Sequence, residues 1–141
     1  MYRALSEVLT FRLAEMLRGN ESTPEAQQEF QQTLVSAVES GRAAVLVDED
    51  NYQNWVSLAR IYEGLVPLGI NGSYENAKTA YNRALLLNPQ NPKIYSSLAR
   101  VEALNGNNET ARGYIADALR LKNDYTDAIF LLSQIEIGEG N

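Results

Sequence analysis

One spacing pattern recurs along the chain. It begins Trp55-x₂-Leu58-Ala59-x₂-Tyr62, continues through Ala77-x₃-Tyr81 and closes on Ala84 and Pro89. Much of it returns as Tyr95-x₂-Leu98-Ala99, then Ala111-x₃-Ile115 and Ala118. A further start follows at Ile129-x₂-Leu132-Ser133, 34 residues after Tyr95. Self-similarity at such a period constrains the fold strongly. Each unit is too small to bury its own apolar face and must stack on its neighbours.

Within the units, apolar residues recur at helical spacing. Ala77, Ala80, Tyr81, Ala84 and Leu85 fall at i, i+3, i+4, i+7 and i+8, one face of a helix. Breakers separate these stretches. Pro89 and Pro92 flank Gln90-Asn91, Gly106 sits among asparagines, and Thr23-Pro24 reads as an N-cap followed by a proline at the first helical position. Seven helices are predicted, over 2–18, 24–47, 52–65, 73–87, 92–104, 108–121 and 125–137. No β pattern of comparable length competes. The fold class is all-α, a solenoid of antiparallel helix pairs.

The aligned units assign roles to positions. A bulky residue opens each first helix (Tyr2, Trp55, Tyr95, Ile129), followed by Leu5, Leu58, Leu98 and Leu132. The next position is small (Ser6, Ala59, Ala99, Ser133), which lets helices approach closely. Ala37, Ala77 and Ala111 do the same early in each second helix, and Ala44, Ala84 and Ala118 near its end. The chain divides into an atypical long unit (1–51), a unit with an insertion (52–91), a standard unit (92–125) and the first helix of a further one (126–141). The insertion places six extra residues between Tyr62 and Ala77, around Leu65 to Asn71. Its apolar Leu65, Val66, Leu68 and Ile70 are expected to be ordered against the long first hairpin.

These positions resemble the tetratricopeptide repeat, whose stacked helix pairs enclose a concave face. Gly41 and Glu102 depart from it, standing where an aromatic is usual, and Glu49 stands at the usual proline. A side chain such as Glu102 is expected to loosen that contact. More narrowly, the strings Tyr2-Arg3-Ala4-Leu5-Ser6, Asn51-Tyr52-Gln53-Asn54-Trp55, Val66-Pro67-Leu68-Gly69 and Asp124-Tyr125-Thr126-Asp127-Ala128 are similar to the repeat region of large bacterial membrane proteins related to O-antigen ligases. That resemblance implies a longer protein with a membrane domain upstream.

The repeat resemblance implies a groove lined by the first helices, carrying Arg3, Glu7, Gln53, Val56, Arg60, Glu63, Lys93, Ser96, Arg100, Phe130 and Gln134. Arg60 and Arg100 occupy equivalent places and are expected near each other. Paired guanidinium groups suit a carboxylate or phosphate; the competing reading pairs them with Glu63 and Glu102. The clamp by which some relatives hold chaperone tails needs lysine and asparagine at set positions, which Ser57, Ser96 and Ser97 do not supply.

Composition excludes several chemistries. With no cysteine and no histidine the chain lacks disulfides, thiolate ligands and the commonest general base. No phosphate loop, metal motif or nucleophile system is present, so no enzyme, cofactor or metal is expected. A net charge of −6 disfavours nucleic acid as partner. No apolar run spans a bilayer, and Met1 to Arg18 is too interrupted by charge for a signal peptide. Trp55, Tyr62, Tyr81 and Tyr95 read as packing residues and not as a sugar platform. Asp48-Glu49-Asp50 reads as a solvated turn. Asn20-Glu21-Ser22, Asn71-Gly72-Ser73 and Asn108-Glu109-Thr110 match the glycosylation sequon, as many unmodified turns do.

Two functions therefore stand side by side. One is a non-enzymatic scaffold that binds a protein or peptide in its groove. The other is an accessory region of a membrane-bound glycan ligase or polymerase that recruits substrate or partner. The last helix, rich in Ile129, Phe130, Leu131, Leu132, Ile135 and Ile137, is expected to leave an apolar face open and to self-associate through it.

Overall fold

The helix boundaries follow from local chemistry, as the computed structural model shows for residues 1–19 and 22–140. The Asn20-Glu21-Ser22 triplet lies mostly outside that range, as does Asn141. The helices are α1 (Tyr2–Gly19), α2 (Pro24–Val47), α3 (Tyr52–Leu65), α4 (Ser73–Leu87), α5 (Pro92–Leu104), α6 (Asn108–Leu121) and α7 (Thr126–Gly138). The Thr23 hydroxyl accepts from the Ala26 amide at 3.1 Å, with Pro24 in the first turn. Asn51 and Asn91 repeat the device, their side-chain oxygens accepting from the Gln53 and Lys93 amides at 3.0 Å. Each satisfies an amide that the first helical turn leaves unpaired.

The helices pair in chain order: α1 with α2, α3 with α4, α5 with α6. The pairs stack through α2 on α3, α4 on α5, and α7 on both α5 and α6. The fold is thus an all-helical solenoid. Alanines at the close approaches are sealed: Ala37, Ala59, Ala77, Ala84, Ala99, Ala111, Ala118 and Ala128 have no exposed surface. Around them, Tyr81, Ile94, Leu98 and Val101 fill a core running from α1 to α5, and Ile115, Leu131 and Ile135 fill a smaller one under α7.

The first and last units depart from the pattern. Tyr2 and Leu5 are exposed, whereas Leu58 and Leu98 are buried. Ser6 is sealed like Ala59 and Ala99, but Ser133 lies at the surface and its hydroxyl turns back to the Ile129 carbonyl at 3.1 Å. Gly41 explains how the first junction closes without an aromatic. A Cβ there would stand 3.1 Å from Leu58 Cδ1, 3.2 Å from Ile61 Cδ1 and 3.3 Å from Ser6 Oγ. Three helices meet where a ring would otherwise stand.

The insertion forms a 3-10 turn, Val66–Leu68, ended by Gly69 at φ 69° and followed by Gly72 at φ 79°. Positive φ costs a residue with a Cβ but not glycine. The turn packs chiefly on α3 and α5, not on the α1–α2 hairpin, because it leaves α3 on the side of the following pair. Leu65 is buried and Val66 half-buried, while Leu68 and Ile70 remain exposed.

Candidate partner-binding groove

The first helices of three successive pairs line one open cavity of about 220 Å³. α1 contributes Arg3 and Glu7; α3 contributes Tyr52, Gln53, Val56, Ser57 and Arg60; Asn91 and α5 contribute Lys93, Ile94 and Ser97. Its α1 wall is internally tied. The Arg3 guanidinium donates to Gln53 Oε1 at 2.9 Å, and the Ser57 hydroxyl donates to Glu7 Oε1 at 2.9 Å. The Arg60 guanidinium and the Lys93 ammonium make no hydrogen bond or ion pair among the described residues.

The expected groove residues separate into groups. Gln53, Val56, Arg60 and Lys93 line the cavity with Arg3 and Glu7. Ser96 does not: it is only 3% exposed, and Ser97, one residue on, turns toward the cavity. Glu63 and Arg100 face each other. Arg100 donates to Glu63 from Nε at 2.9 Å and from Nη2 at 3.3 Å, and reaches Ser97 Oγ at 3.4 Å. Burial works against the Arg100 charge, but the adjacent carboxylate outweighs it and raises the pKa. The pair spans the junction between the second and third units, so Arg100 is committed and does not form an open cationic pair with Arg60. Below it, burial pushes the Tyr81 phenol up to about 12, with the Glu63 charge adding to the effect.

Phe130 and Gln134 lie elsewhere. Gln134 lines a separate cavity of about 420 Å³ with Arg100, Leu104 and Leu131, and Phe130 is exposed on α7. The groove residues missed by pattern reading are Tyr52, Ser57, Asn91, Ile94 and Ser97. The two serines occupy equivalent positions in successive units, a repetition visible in the sequence.

Glu102 corrects a second expectation. It does not loosen the core. Its carboxylate is 1% exposed and accepts from the Tyr74 hydroxyl at 2.9 Å, Lys78 Nζ at 2.9 Å and Asn107 Nδ2 at 2.9 Å. Burial alone would raise its pKa, but the bonds from Lys78, Asn107 and Tyr74 prevail and hold it below the usual value. The same contact pushes Lys78 up to about 12. An ionic knot linking α4, α5 and the α5–α6 turn replaces the aromatic contact.

Trp55 is part of the frame. Its indole Nε1 donates to the Glu49 carbonyl at 2.8 Å, and the Arg83 guanidinium lies 5.2 Å from its ring. One ring face is therefore occupied. Among the described residues no group of three acidic side chains is placed to hold a metal, and no helix is long and apolar enough to cross a membrane.

A stack of helix pairs with a concave face built by their first helices is the architecture of a helical-repeat solenoid. Residues 70–111 of the chain match the family model described as TPR repeat. The chain is 36% identical over 74 residues to the mouse (Mus musculus) protein O-mannosyl-transferase TMTC1. That stretch is 52% of this chain, and the chain spans only 7% of TMTC1. Three solved structures share the fold. A thermophilic TPR protein of Thermus thermophilus superposes with a TM-score of 0.68 at 21% identity, over 93% of this chain and 73% of that one. An O-GlcNAc transferase mutant of Thermobaculum terrenum gives 0.63 at 19%, over 96% and 23%. The second TPR domain of human RPAP3, in complex with the HSP70 peptide SGPTIEEVD, gives 0.63 at 16%, over 95% and 98%. At these identities the structures speak for the fold alone.

Proposed function

We propose that the chain is a non-enzymatic scaffold whose groove holds an extended peptide segment carrying carboxylates. The observation behind this reading is that Arg60 and Lys93, on adjacent first helices, border one cavity and that their charged groups make no hydrogen bond or ion pair among the described residues. In a protein of net charge −6 two uncommitted cations at one cavity attract anions locally. Gln53, Asn91 and Ser97 add neutral donors and acceptors for a peptide backbone. A short extended peptide with two glutamate side chains and a free C-terminal carboxylate is a suitable probe. Titration calorimetry should show binding that weakens with added salt. It should fall at least about tenfold, or about 1.4 kcal/mol, in an Arg60→Ala/Lys93→Ala variant. Equal binding of the version with its carboxylates amidated would defeat the reading.

A second reading has its own support. The likeness to TMTC1 suggests that such repeats accompany glycan-transfer enzymes. On this reading the chain is an accessory region that recruits substrate or partner proteins for a membrane-bound transferase. Proximity labelling in cells that express the full-length protein would test it, through enrichment of glycan-transfer machinery.

A further inference from the structure

The second helices of the first two pairs end in exposed apolar residues. α2 closes with Leu46 and Val47, 86% and 72% exposed, and α4 with Leu86 and Leu87, 75% and 41% exposed. The residues just before them, Val45 and Leu85, turn inward to the core. Leu46 and Leu86 sit about 100° further round each helix and contribute nothing to stacking. Lone exposed leucines need no explanation, but a cluster does.

The fold does not require them. Counting two residues on from the equivalent alanines Ala44, Ala84 and Ala118 gives Leu46, Leu86 and Arg120. The third unit puts a charge at that place, and Arg120 pairs there with Asp117. The following turn differs in the same way. It reads Asp48-Glu49-Asp50 after α2 but Asn88-Pro89-Gln90 after α4.

The end of α4 meets the acidic turn that follows Leu46 and Val47. Glu49, Asp50, Arg83, Leu86 and Leu87 line a shared cavity of about 220 Å³. The turn is anchored there, since the Glu49 carbonyl accepts from Trp55 and Arg83 lies over the indole ring. The Asp48, Glu49 and Asp50 carboxylates make no hydrogen bond or ion pair among the described residues. They outnumber the nearby cations, Arg83 and, a turn back along α2, Arg42. That cavity shares no lining residue with the groove and has an acidic balance, whereas Val47 faces another cavity, beside Met1 to Ala4 at the start of α1.

We propose that the edge formed by the ends of α2 and α4 is a second docking surface, for a partner-protein segment that is apolar on one face and basic at its flank. Leu86 and Leu87, with Leu46 just ahead of the acidic turn, bury the apolar face. The carboxylates of residues 48–50 select the basic flank, because charge complementarity steers encounter and rejects acidic segments. An amphipathic helix presents both features at once.

The test titrates the ¹⁵N-labelled chain with a short amphipathic helix built from leucine and lysine. Amide shifts confined to residues 46–50 and 83–87, together with the Trp55 indole signal, are expected. Leu46→Ser/Leu86→Ser should weaken binding at least about tenfold, and Asp48→Asn/Glu49→Gln/Asp50→Asn should remove its salt dependence. Both sets lie at the surface, and an unchanged thermal melt checks that they fold; Leu86→Ser alone serves if the double variant does not. Any one of four results would overturn the proposal: equal binding of a leucine–glutamate peptide, shifts centred on Arg60 and Lys93, the same shifts with phosphatidylcholine or phosphatidylserine vesicles, or dimerisation through this edge without peptide.

Discussion

Arg100 and Glu63 form a two-point contact, 2.9 and 3.3 Å long, between helices of adjacent repeats. The pair is structural in geometry, since both donors face a carboxylate that itself is only 15% exposed. Arg100→Ala is therefore expected to lower stability by about 1–2 kcal/mol, mostly from leaving Glu63 uncompensated. The affinity of a groove peptide should stay within about twofold. Urea melts and calorimetry on the one variant separate the two effects; a large affinity loss at unchanged stability would assign Arg100 to the ligand.

The Glu102 knot makes stability sensitive to acid. The carboxylate's pKa is lower in the folded protein than its ordinary 4.5. Its contribution is thus present in full above that value and is lost as pH falls through the folded pKa. For Lys78 the sign is opposite: raised from 10.5 to about 12, it contributes fully below 10.5 and loses its contribution as pH rises through 12. Thermal melts of the wild type and Glu102→Gln should differ at neutral pH and converge as pH falls through the lowered folded pKa of Glu102. A constant gap across that range would refute the assignment.

Two glycines should respond oppositely to enlargement. Gly41→Phe restores the ring common at that place in the repeat, but here it meets Leu58, Ile61 and Ser6. Overpacking of this kind costs about 1–3 kcal/mol. Gly113, in α6, has open space where a Cβ would be. Gly113→Ala should stabilise by about 0.5–1 kcal/mol through helix propensity alone. Chemical denaturation of the two variants should give changes of opposite sign; stabilisation by both would show that the first junction can relax.

The last helix leaves Ile129, Phe130 and Ile137 at 45%, 63% and 74% exposure, while Leu131 and Ile135 are covered. Sedimentation velocity should reveal concentration-dependent association of this chain. Phe130→Lys/Ile137→Lys should suppress it with little change in melting temperature. A monomer at millimolar concentration would count against the idea.

All seven helices begin and end within one residue of where breakers and caps place them. Proline, glycine and asparagine act on their own backbone, so their effects are readable locally. The alanine ladder was legible for the same reason: spacing alone puts Ala77 and Ala84 on one face. The groove was legible only in part. Ser96 and Ser97 differ by about 100° of helix rotation, and only packing decides which of them faces the cavity. The pairing of Arg100 with Glu63, 37 positions away, was one of the two readings the sequence offered, but nothing local chooses it over an open pair with Arg60. Glu102 misled because its partners Tyr74, Lys78 and Asn107 arrive from two other segments. The departures at Gly41 and Glu102 were visible as departures, but their physical meaning required the neighbours.

The first hairpin has a mechanical consequence. α2 runs 24 residues, about 36 Å, whereas α4 runs 15, about 22 Å. The free end of the hairpin holds a cleft of about 500 Å³ lined only by its own residues, between Glu15 and Gln31. The α1–α2 pair is thus a beam anchored at its base, with Gly41 at the fulcrum some 25 Å from Pro24. A load applied at its tip acts with a long moment arm on a joint that contains no ring to stiffen it. A small rotation at this joint therefore becomes a larger displacement of the tip.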